Sequence, residues 1–276
     1  AEAYRLRIGA DGIYVDALER VGLYRGLQTL EQLLISAEKK GELEACDIID
    51  WPSFRMRGLM HDLGRAFIPI EELKKQVRLL AQYKVNTLHL HLTEHQAWRL
   101  ESKRYPQLTA AQYATRMPGK YYTLAQLREL SNLCKELRIT LIPEIDIPGH
   151  SSAFARAMGF DMQSPEGKRV LKDILAELAQ SLDVPYIHLG TDEAKITDQL
   201  FVPEMVEHVH SLGKKVVAWN PGWSFKSKEV DLLHLWSSQG QSIYGTPSID
   251  SRYHYLNHYD LFADIQMLYS SRVLGV

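Results

Sequence analysis

From Trp51 onward, segments with the spacing of β-strands alternate with segments that have the spacing of amphipathic helices. The strand candidates are FRMRGLMHDLG, NTLHLHLTE, TLIPEID, YIHLGTDE, KKVVAWN, DLLHLWSS and SIDSRYHYLN, seven between residues 54 and 257. Strands that alternate with helices predict a parallel sheet covered by helices. The sequence therefore predicts an α/β fold of the TIM (β/α)8 barrel type. Because such a barrel closes with eight strands, we expect the eighth strand to be missing or incomplete.

Residues 1–50 follow a different pattern. AYRLRIGADGIYVDA alternates apolar and polar residues across a glycine-containing turn, which predicts a strand pair. VGLYRGLQTLEQLLISAEKK then has helical spacing. A segment of this length is too short to hold a core alone. We therefore divide the chain into a partial α+β domain over residues 1–50 and a catalytic (β/α) barrel over residues 51–276.

Composition and local patterns argue against several classes of protein. The net charge of −2 lacks the basic excess of a nucleic-acid binder. No apolar run approaches the ~20 residues of a membrane helix. The opening sequence AEAYRLRIGADG has no basic region followed by an apolar stretch, so no signal peptide is predicted in it. Cys46 and Cys134 have neither a metal-ligand spacing nor a disulfide framework.

Unusual residues collect at the ends of the predicted strands, where a barrel of this type carries its active site. In chain order they are Arg57, Glu94, Asp146, His150, Asp192, Glu193, Trp219, Trp236, Tyr255 and Asn257. Aromatic rings can pack on the apolar face of a sugar, and its hydroxyls need charged or amide partners. The pattern therefore predicts a carbohydrate site.

Two of these signals have simpler interpretations. Asp192 and Glu193 are adjacent acids, and taken alone they are typical of a solvated loop. His89 and His91 share one face of a strand and could form a metal pair, as in a metal-dependent hydrolase. We favour histidines packed inside the barrel, with His188 as another, and predict no metal and no cofactor.

Four motifs occur in order along the chain: RGLMHDLGRAFIP, NTLHLHLTEHQAW, LIPEIDIPGHSSA and YIHLGTDEA. Together they resemble the family 20 glycoside hydrolases, the β-N-acetylhexosaminidases, and the resemblance covers essentially residues 1–276. The segment YHYLNHYDLFADI is most similar to bacterial members. The resemblance implies an exo-acting enzyme that removes terminal β-linked N-acetylglucosamine or N-acetylgalactosamine with retention of configuration. The acetamido oxygen of the substrate replaces an enzyme nucleophile.

The resemblance also implies a role for each site residue. Glu193 corresponds to the general acid and base, and Asp192 to the residue that orients the acetamido group. His150 corresponds to the histidine that supports the acid, and Glu94 keeps a negative charge beside it. The sugar-binding positions are Arg57 for the 3- and 4-hydroxyls, Trp219 and Trp236 as walls, Tyr255 for the acetamido oxygen, Asn257, and Asp146 as a supporting carboxylate. Because neighbours on a regular strand point to opposite faces, we expect the pleat to break at Asp192–Glu193.

Two departures from the family pattern leave an alternative open. The family reads HLTDDQGW where this chain reads HLTEHQAW, so that Glu94 and His95 replace an acidic pair and Ala97 replaces a glycine. The second departure concerns the eighth strand, which we expect to be missing or incomplete here. In the family this strand carries a further wall tryptophan and an acid. The alternative is a catalytically impaired, sugar-binding barrel of the same family. The implied partner is a glycan or glycoconjugate, without nucleic acid or a membrane span, and the implied location is periplasmic or secreted.

Overall fold

A three-stranded antiparallel sheet begins the chain in the computed structural model, which describes residues 1–252 and 254–256. Its central strand β1 (Tyr4–Gly9) pairs with β2 (Gly12–Ala17) and with β3 (Cys46–Asp50), and helix α1 (Arg20–Lys40) contacts β1 and β2. The predicted strand pair and helix are present. The sequence analysis missed β3, because a five-residue segment with two aspartates carries little strand signal.

Seven parallel strands form the second sheet, and they correspond to the seven strand candidates. The strands are β4 (Gly58–Asp62), β5 (Thr87–His91), β6 (Thr140–Ile147), β7 (Tyr186–Gly190), β8 (Lys215–Asn220), β9 (Leu232–Leu235) and β10 (Ser248–Asp250). They follow one another in chain order across the sheet. Within the described residues, β4 and β10 each pair with one neighbour, so the sheet is a parallel barrel-type sheet that is not closed.

Helices cover this sheet between successive strands from β4 to β8. They are α2 (Ile70–Gln82), α3 (Leu124–Glu136), α4 (Ser152–Met158), α5 (Pro165–Ser181) and α6 (Phe201–Ser211). Helix α3 begins with a reciprocal capping box between Thr123 and Gln126, a feature that stabilises a helix by about 1 kcal/mol. In the described part of the chain, none of the helices has the length and apolar character needed to cross a membrane. The helix predicted for DLFADIQMLYSS lies outside the described residues.

The two faces of the parallel sheet have different chemistry. On β5, Leu88 and Leu90 belong to the large apolar cluster that includes side chains of the covering helices. His89 and His91 alternate with them and are also buried, so they occupy the opposite face, inside the curved sheet. The sheet thus places an apolar layer under the helices and a polar layer toward the candidate site.

Buried and half-buried ion pairs join the small domain to the amino end of the parallel sheet. Glu2 accepts hydrogen bonds from Arg25 at 2.8 Å and from Arg57 at 2.6 Å. Lys84, just after α2, donates to Asp50 on β3 at 2.9 Å. These contacts attach the small domain to the amino ends of the barrel strands. The carboxyl ends of the strands, where the candidate site lies, are at the opposite end of the sheet.

Candidate active site

The backbone after β7 leaves the extended conformation where the adjacent acids lie. Gly190, Thr191 and Glu193 have φ values of 65°, 84° and 46°. A positive φ is costly for a β-branched threonine and indicates a conformation imposed by its surroundings. Asp192 is only 7% exposed, whereas the Glu193 side chain is 54% exposed. The predicted break in the pleat is confirmed, and it directs one acid inward and the other to the surface.

A chain of charged groups runs from Arg65 to Glu193. His150 Nε2 lies 3.2 Å from Glu193 Oε2, and His150 Nδ1 contacts the buried Glu94 carboxylate. Arg65 also contacts Glu94 and donates to Asp62 at 2.5 Å. The structure therefore brings Glu94, His150 and Glu193 together, as the sequence analysis predicted.

The charges of Arg65, Glu94 and His150 hold one another in their ionised forms. Burial alone lowers the pKa of His150, but the hydrogen bond to Glu94 and nearby carboxylates raise it to about 9. Burial tends to raise the pKa of Glu94, but His150 and Arg65 keep it below its ordinary value. At neutral pH the carboxyl of Glu193 therefore faces an imidazolium backed by a carboxylate.

Asp146 and Asp192 form a buried acidic pair beside this chain. Burial, followed by the negative charge of Glu144, raises the pKa of Asp192 to about 7. Burial and the charges of Glu144 and Asp192 also raise the pKa of Asp146. Neither carboxylate oxygen of Asp146 has a hydrogen-bond partner among the described residues. The unfilled hydrogen-bonding capacity of such buried oxygens suits a site that receives donors from a ligand.

Glu144 is the centre of the polar layer beneath the acids, and it is completely buried. It accepts hydrogen bonds from His89 Nε2 and from Trp219 Nε1, both at 2.7 Å. His91 Nδ1 lies 2.8 Å from the same carboxylate. Burial tends to raise the pKa of Glu144, but the surrounding histidines hold it well below its ordinary value. In turn, Glu144 raises the pKa of the buried His91 to about 10, against the effect of burial.

Three interior histidines are close enough to be considered as a metal site. Ligand atoms of His89, His188 and His234 lie within 4.8 Å of one another. However, His188 Nδ1 accepts a hydrogen bond from the backbone N–H of Gly190 at 3.0 Å. The proton of a neutral His188 is then on Nε2, so neither ring nitrogen offers a free lone pair. The hydrogen bonding therefore fits packing inside the barrel better than metal ligation.

The predicted aromatic walls lie at different depths. Trp219 is 6% exposed and packs on His234, with ring centroids 4.1 Å apart. Trp236 donates its indole N–H to Pro221 O at 2.7 Å and lines an open cavity beside Glu193. Burial, followed by the charge of Asp192, raises the pKa of Tyr255 to about 12. Asn257 lies outside the described residues.

The placement of Arg57 requires a correction. Arg57 precedes β4 and lies at the amino end of the sheet, where it donates to Lys84 O at 2.8 Å and to Glu2 at 2.6 Å. The predicted strand began at Phe54, which would have put Arg57 within the sheet. Because the strand begins at Gly58, the guanidinium binds the small domain and does not reach the acids in this structure.

Sequence reasoning gave no role to several residues that shape the site. Arg65 follows the first predicted strand, and Glu144 lies near the end of the third. Their positions near strand ends could have marked both as candidate site residues. Glu144 was not selected because its partners His89 and Trp219 are 55 and 75 residues away in the chain. Lys195 and Trp223, which line the cavity beside Glu193, were also not assigned to the site.

Comparison with known protein families connects this geometry to a group of enzymes. Residues 1–51 match the model described as "Glycosyl hydrolase family 20, domain 2", and residues 54–164 match "Glycosyl hydrolase family 20, catalytic domain". The two matches together cover more than half of the chain. This chain belongs to glycosyl hydrolase family 20. The resemblance seen in its motifs is confirmed.

Curated relatives in the family include bacterial enzymes. A "Beta-N-acetylhexosaminidase" of Cellulomonas fimi is 34% identical over 265 residues, covering 85% of this chain and 53% of the relative. A "Beta-hexosaminidase" of Akkermansia muciniphila is 36% identical over 225 residues, covering 70% of this chain and 45% of the relative. This chain thus spans about half the length of these relatives.

Solved structures of the family have the same fold over most of this chain. The chitobiase of Flavobacterium johnsoniae superimposes with a TM-score of 0.80 at 26% identity, over 93% of this chain and 47% of that one. A family 20 exo-β-N-acetylglucosaminidase from Vibrio harveyi, in complex with N-acetylglucosamine, gives a TM-score of 0.71 at 26% identity, over 85% and 46%. The parallel sheet of this chain is therefore a TIM-barrel-type sheet of family 20.

Proposed function

We propose that this chain carries the catalytic groups of a β-N-acetylhexosaminidase that removes terminal β-linked N-acetylglucosamine or N-acetylgalactosamine. The observation that carries the proposal is the pair Asp192–Glu193, with one acid buried and the other exposed next to His150. The names of the curated relatives support the same activity. The proposed substrate is a glycan or glycoconjugate.

We propose that Glu193 is the general acid and then the general base. In the first step, the acetamido oxygen of the substrate attacks the anomeric carbon and the bond to the leaving oxygen breaks. Glu193 gives its proton to that oxygen, and the product of the step is a cyclic oxazolinium intermediate. In the second step, Glu193 takes a proton from water as the water oxygen attacks the anomeric carbon, and the bond between that carbon and the acetamido oxygen breaks, which regenerates the acetamido group. The exposed position of Glu193 fits this role, because leaving groups and water both approach from solvent.

Asp192 would hold the acetamido N–H and stabilise the positive charge that develops on the ring. This role needs an ionised carboxylate in a site from which water is excluded. Burial supplies the exclusion, and the raised pKa of Asp192 is its physical consequence. A donor N–H and a developing cation both favour the ionised form, so substrate binding would lower this pKa.

A catalytically impaired, sugar-binding barrel is the second candidate. One observation favours it: Arg57 is bound to the small domain. In this candidate the site holds N-acetylhexosamine through its aromatic walls and acids without turnover.

Release of p-nitrophenol from its β-N-acetylglucosaminide separates the two candidates. The 276-residue chain is tested with and without EDTA, and beside the Glu193→Gln variant. We expect EDTA-resistant turnover that the substitution slows strongly, with partial relief for leaving groups that depart without a proton. Binding of N-acetylglucosamine without turnover would support the second candidate. Equal losses on all leaving groups would contradict the acid role of Glu193.

Export to the periplasm or the medium is a further proposal, and it rests on the family alone. Fractionation of the source cells, with activity followed in each fraction, tests it.

A further inference from the structure

A cavity of 530 Å³ opens beside Glu193, and of the proposed sugar-binding groups in the described residues only Trp236 lines it. Lys195, Ile196, Trp223 and Trp236 are among its lining residues, together with Glu193. Its volume lies within the range of about 300–1,000 Å³ that is typical of small-molecule sites. The cavity is therefore large enough for a sugar ring.

The lining of the cavity assigns it to the leaving group. The cleaved sugar must contact Asp192, but Asp192, Trp219 and Tyr255 do not belong to the lining. Glu193 does belong to it, and a general acid must lie between the cleaved sugar and the group that leaves. The ring that occupies the cavity is thus the one beyond the scissile bond.

The walls of the cavity are fixed to the strand that carries the acids. The backbone N–H of Trp223 donates to Thr191 O at 2.9 Å. A Cβ added at Gly222 would come within 2.8 Å of the same oxygen, so only glycine allows this close approach. Gln163 donates to the backbone oxygen of Lys195, another lining residue, at 3.1 Å. Trp223 is half-buried and packs against the large apolar cluster, so its indole is held in place where it lines the cavity.

The charge of the cavity depends on the state of Glu193. Among its described lining residues, Glu193 and Lys195 are the charged ones. When Glu193 carries the proton that it donates, Lys195 alone sets the charge, and it is positive. No carboxylate in the described ranges forms an ion pair with Lys195, whereas Lys168 nearby pairs with Asp198 at 2.5 Å.

We propose that this cavity is a leaving-group subsite in which Trp223 stacks on the departing ring and Lys195 selects rings that carry a negative charge. The ligand class is an acidic, sulfated or phosphorylated sugar to which the terminal N-acetylhexosamine is β-linked. This inference rests on the proposed function. It specifies the sugar on the leaving-group side of the scissile bond, which the proposed function does not identify.

Matched disaccharides test the inference. Each has N-acetylglucosamine β-linked to a sugar that is neutral or carries a carboxylate, a sulfate or a phosphate, and kcat/KM is measured for each. Since an ion pair at a partly exposed site is a weak interaction, we expect a preference of about two- to fivefold for anionic leaving groups. The preference should shrink in 0.5 M salt, which screens exposed charges. Comparison of the carboxylate, sulfate and phosphate disaccharides identifies which anionic group Lys195 prefers.

Two charge-matched variants separate the subsite from the overall field of the protein. Lys195→Gln should lower kcat/KM for the anionic disaccharides about two- to fivefold relative to the neutral one, which removes the preference. Lys226→Gln removes the same charge from a neighbouring residue outside the lining, and it should retain the preference. Equal kcat/KM for neutral and anionic disaccharides in the unsubstituted chain, or equal behaviour of the two variants, would overturn the proposal.

A binding measurement keeps the inference distinct from the proposed function. If no disaccharide is hydrolysed, the proposed function fails, and the affinities of the same compounds are compared by tryptophan fluorescence. Tighter binding of anionic compounds that Lys195→Gln removes would support the subsite, and equal affinities would refute it. Trp223→Phe should reduce the fluorescence response and weaken neutral and anionic compounds by the same factor.

Discussion

Replacing Glu144 by glutamine tests the buried charge on which the polar layer depends. Glutamine has nearly the same shape and can still accept the indole N–H of Trp219, so the substitution mainly removes the charge. His91 then loses the carboxylate that keeps it protonated inside the protein. We expect a large loss of stability, because a buried charge is left without its partner.

The expected magnitude follows from the contacts of this pair. Removing one member of a buried pair costs about 3–5 kcal/mol. The rise in the pKa of His91 from 6.5 to about 10 corresponds to a contribution of the same size, at about 1.4 kcal/mol per pH unit. Because the folded pKa is raised, this contribution is complete below pH 6.5 and is lost as the pH rises toward 10. The difference between the two proteins should therefore be largest near pH 6 and shrink by pH 10.

Urea unfolding followed by circular dichroism, at pH 6 and at pH 10, measures this difference. The matched control is Glu71→Gln, which removes a 70% exposed carboxylate and should cost less than about 1 kcal/mol. A loss for Glu144→Gln that is as small as the control, or equal at both pH values, would refute the assignment of an ionised Glu144–His91 pair.

Three further substitutions test other parts of the site. Glu94→Gln removes the carboxylate that helps to raise the pKa of His150 to about 9, so the pKa of His150 measured by NMR titration should fall by about one to two units; an unmoved pKa contradicts the charge chain. Gly190→Ala forces a new Cβ onto a buried carboxylate and should lower the free energy of unfolding by about 2–5 kcal/mol. Gly213→Ala, also at positive φ but in open space, should cost only about 1–2 kcal/mol, and equal costs would disprove the close contact. Asp192→Asn removes an acid whose pKa is raised to about 7, so kcat should fall. The free energy of unfolding should rise by about 1–4 kcal/mol at pH 8, where the buried acid would be ionised, and by far less at pH 4. No gain in the free energy of unfolding at pH 8 would mean that Asp192 ionises without cost.

The sequence correctly predicted those features that depend on local spacing. Alternating strand and helix patterns gave the seven parallel strands, because each period reflects the geometry of one element. The same period placed His89 and His91 on one face of a strand. Glycine and two acids after YIHL marked the broken strand end, since a regular pleat would separate Asp192 from Glu193.

The tertiary structure decided which of these residues meet. The contact of Glu144 with Trp219 joins residues 75 positions apart, and it depends on the register of several strands. Arg57 was misplaced because it lies one residue before the start of β4. The end of a strand at which a side chain lies is set by pairing and by the adjacent domain. Lys195 and Trp223 line one cavity only because the tertiary structure brings their loops to the same side of Glu193. A chain's periodicity fixes its elements and their faces, whereas distant contacts depend on how those elements are placed in space.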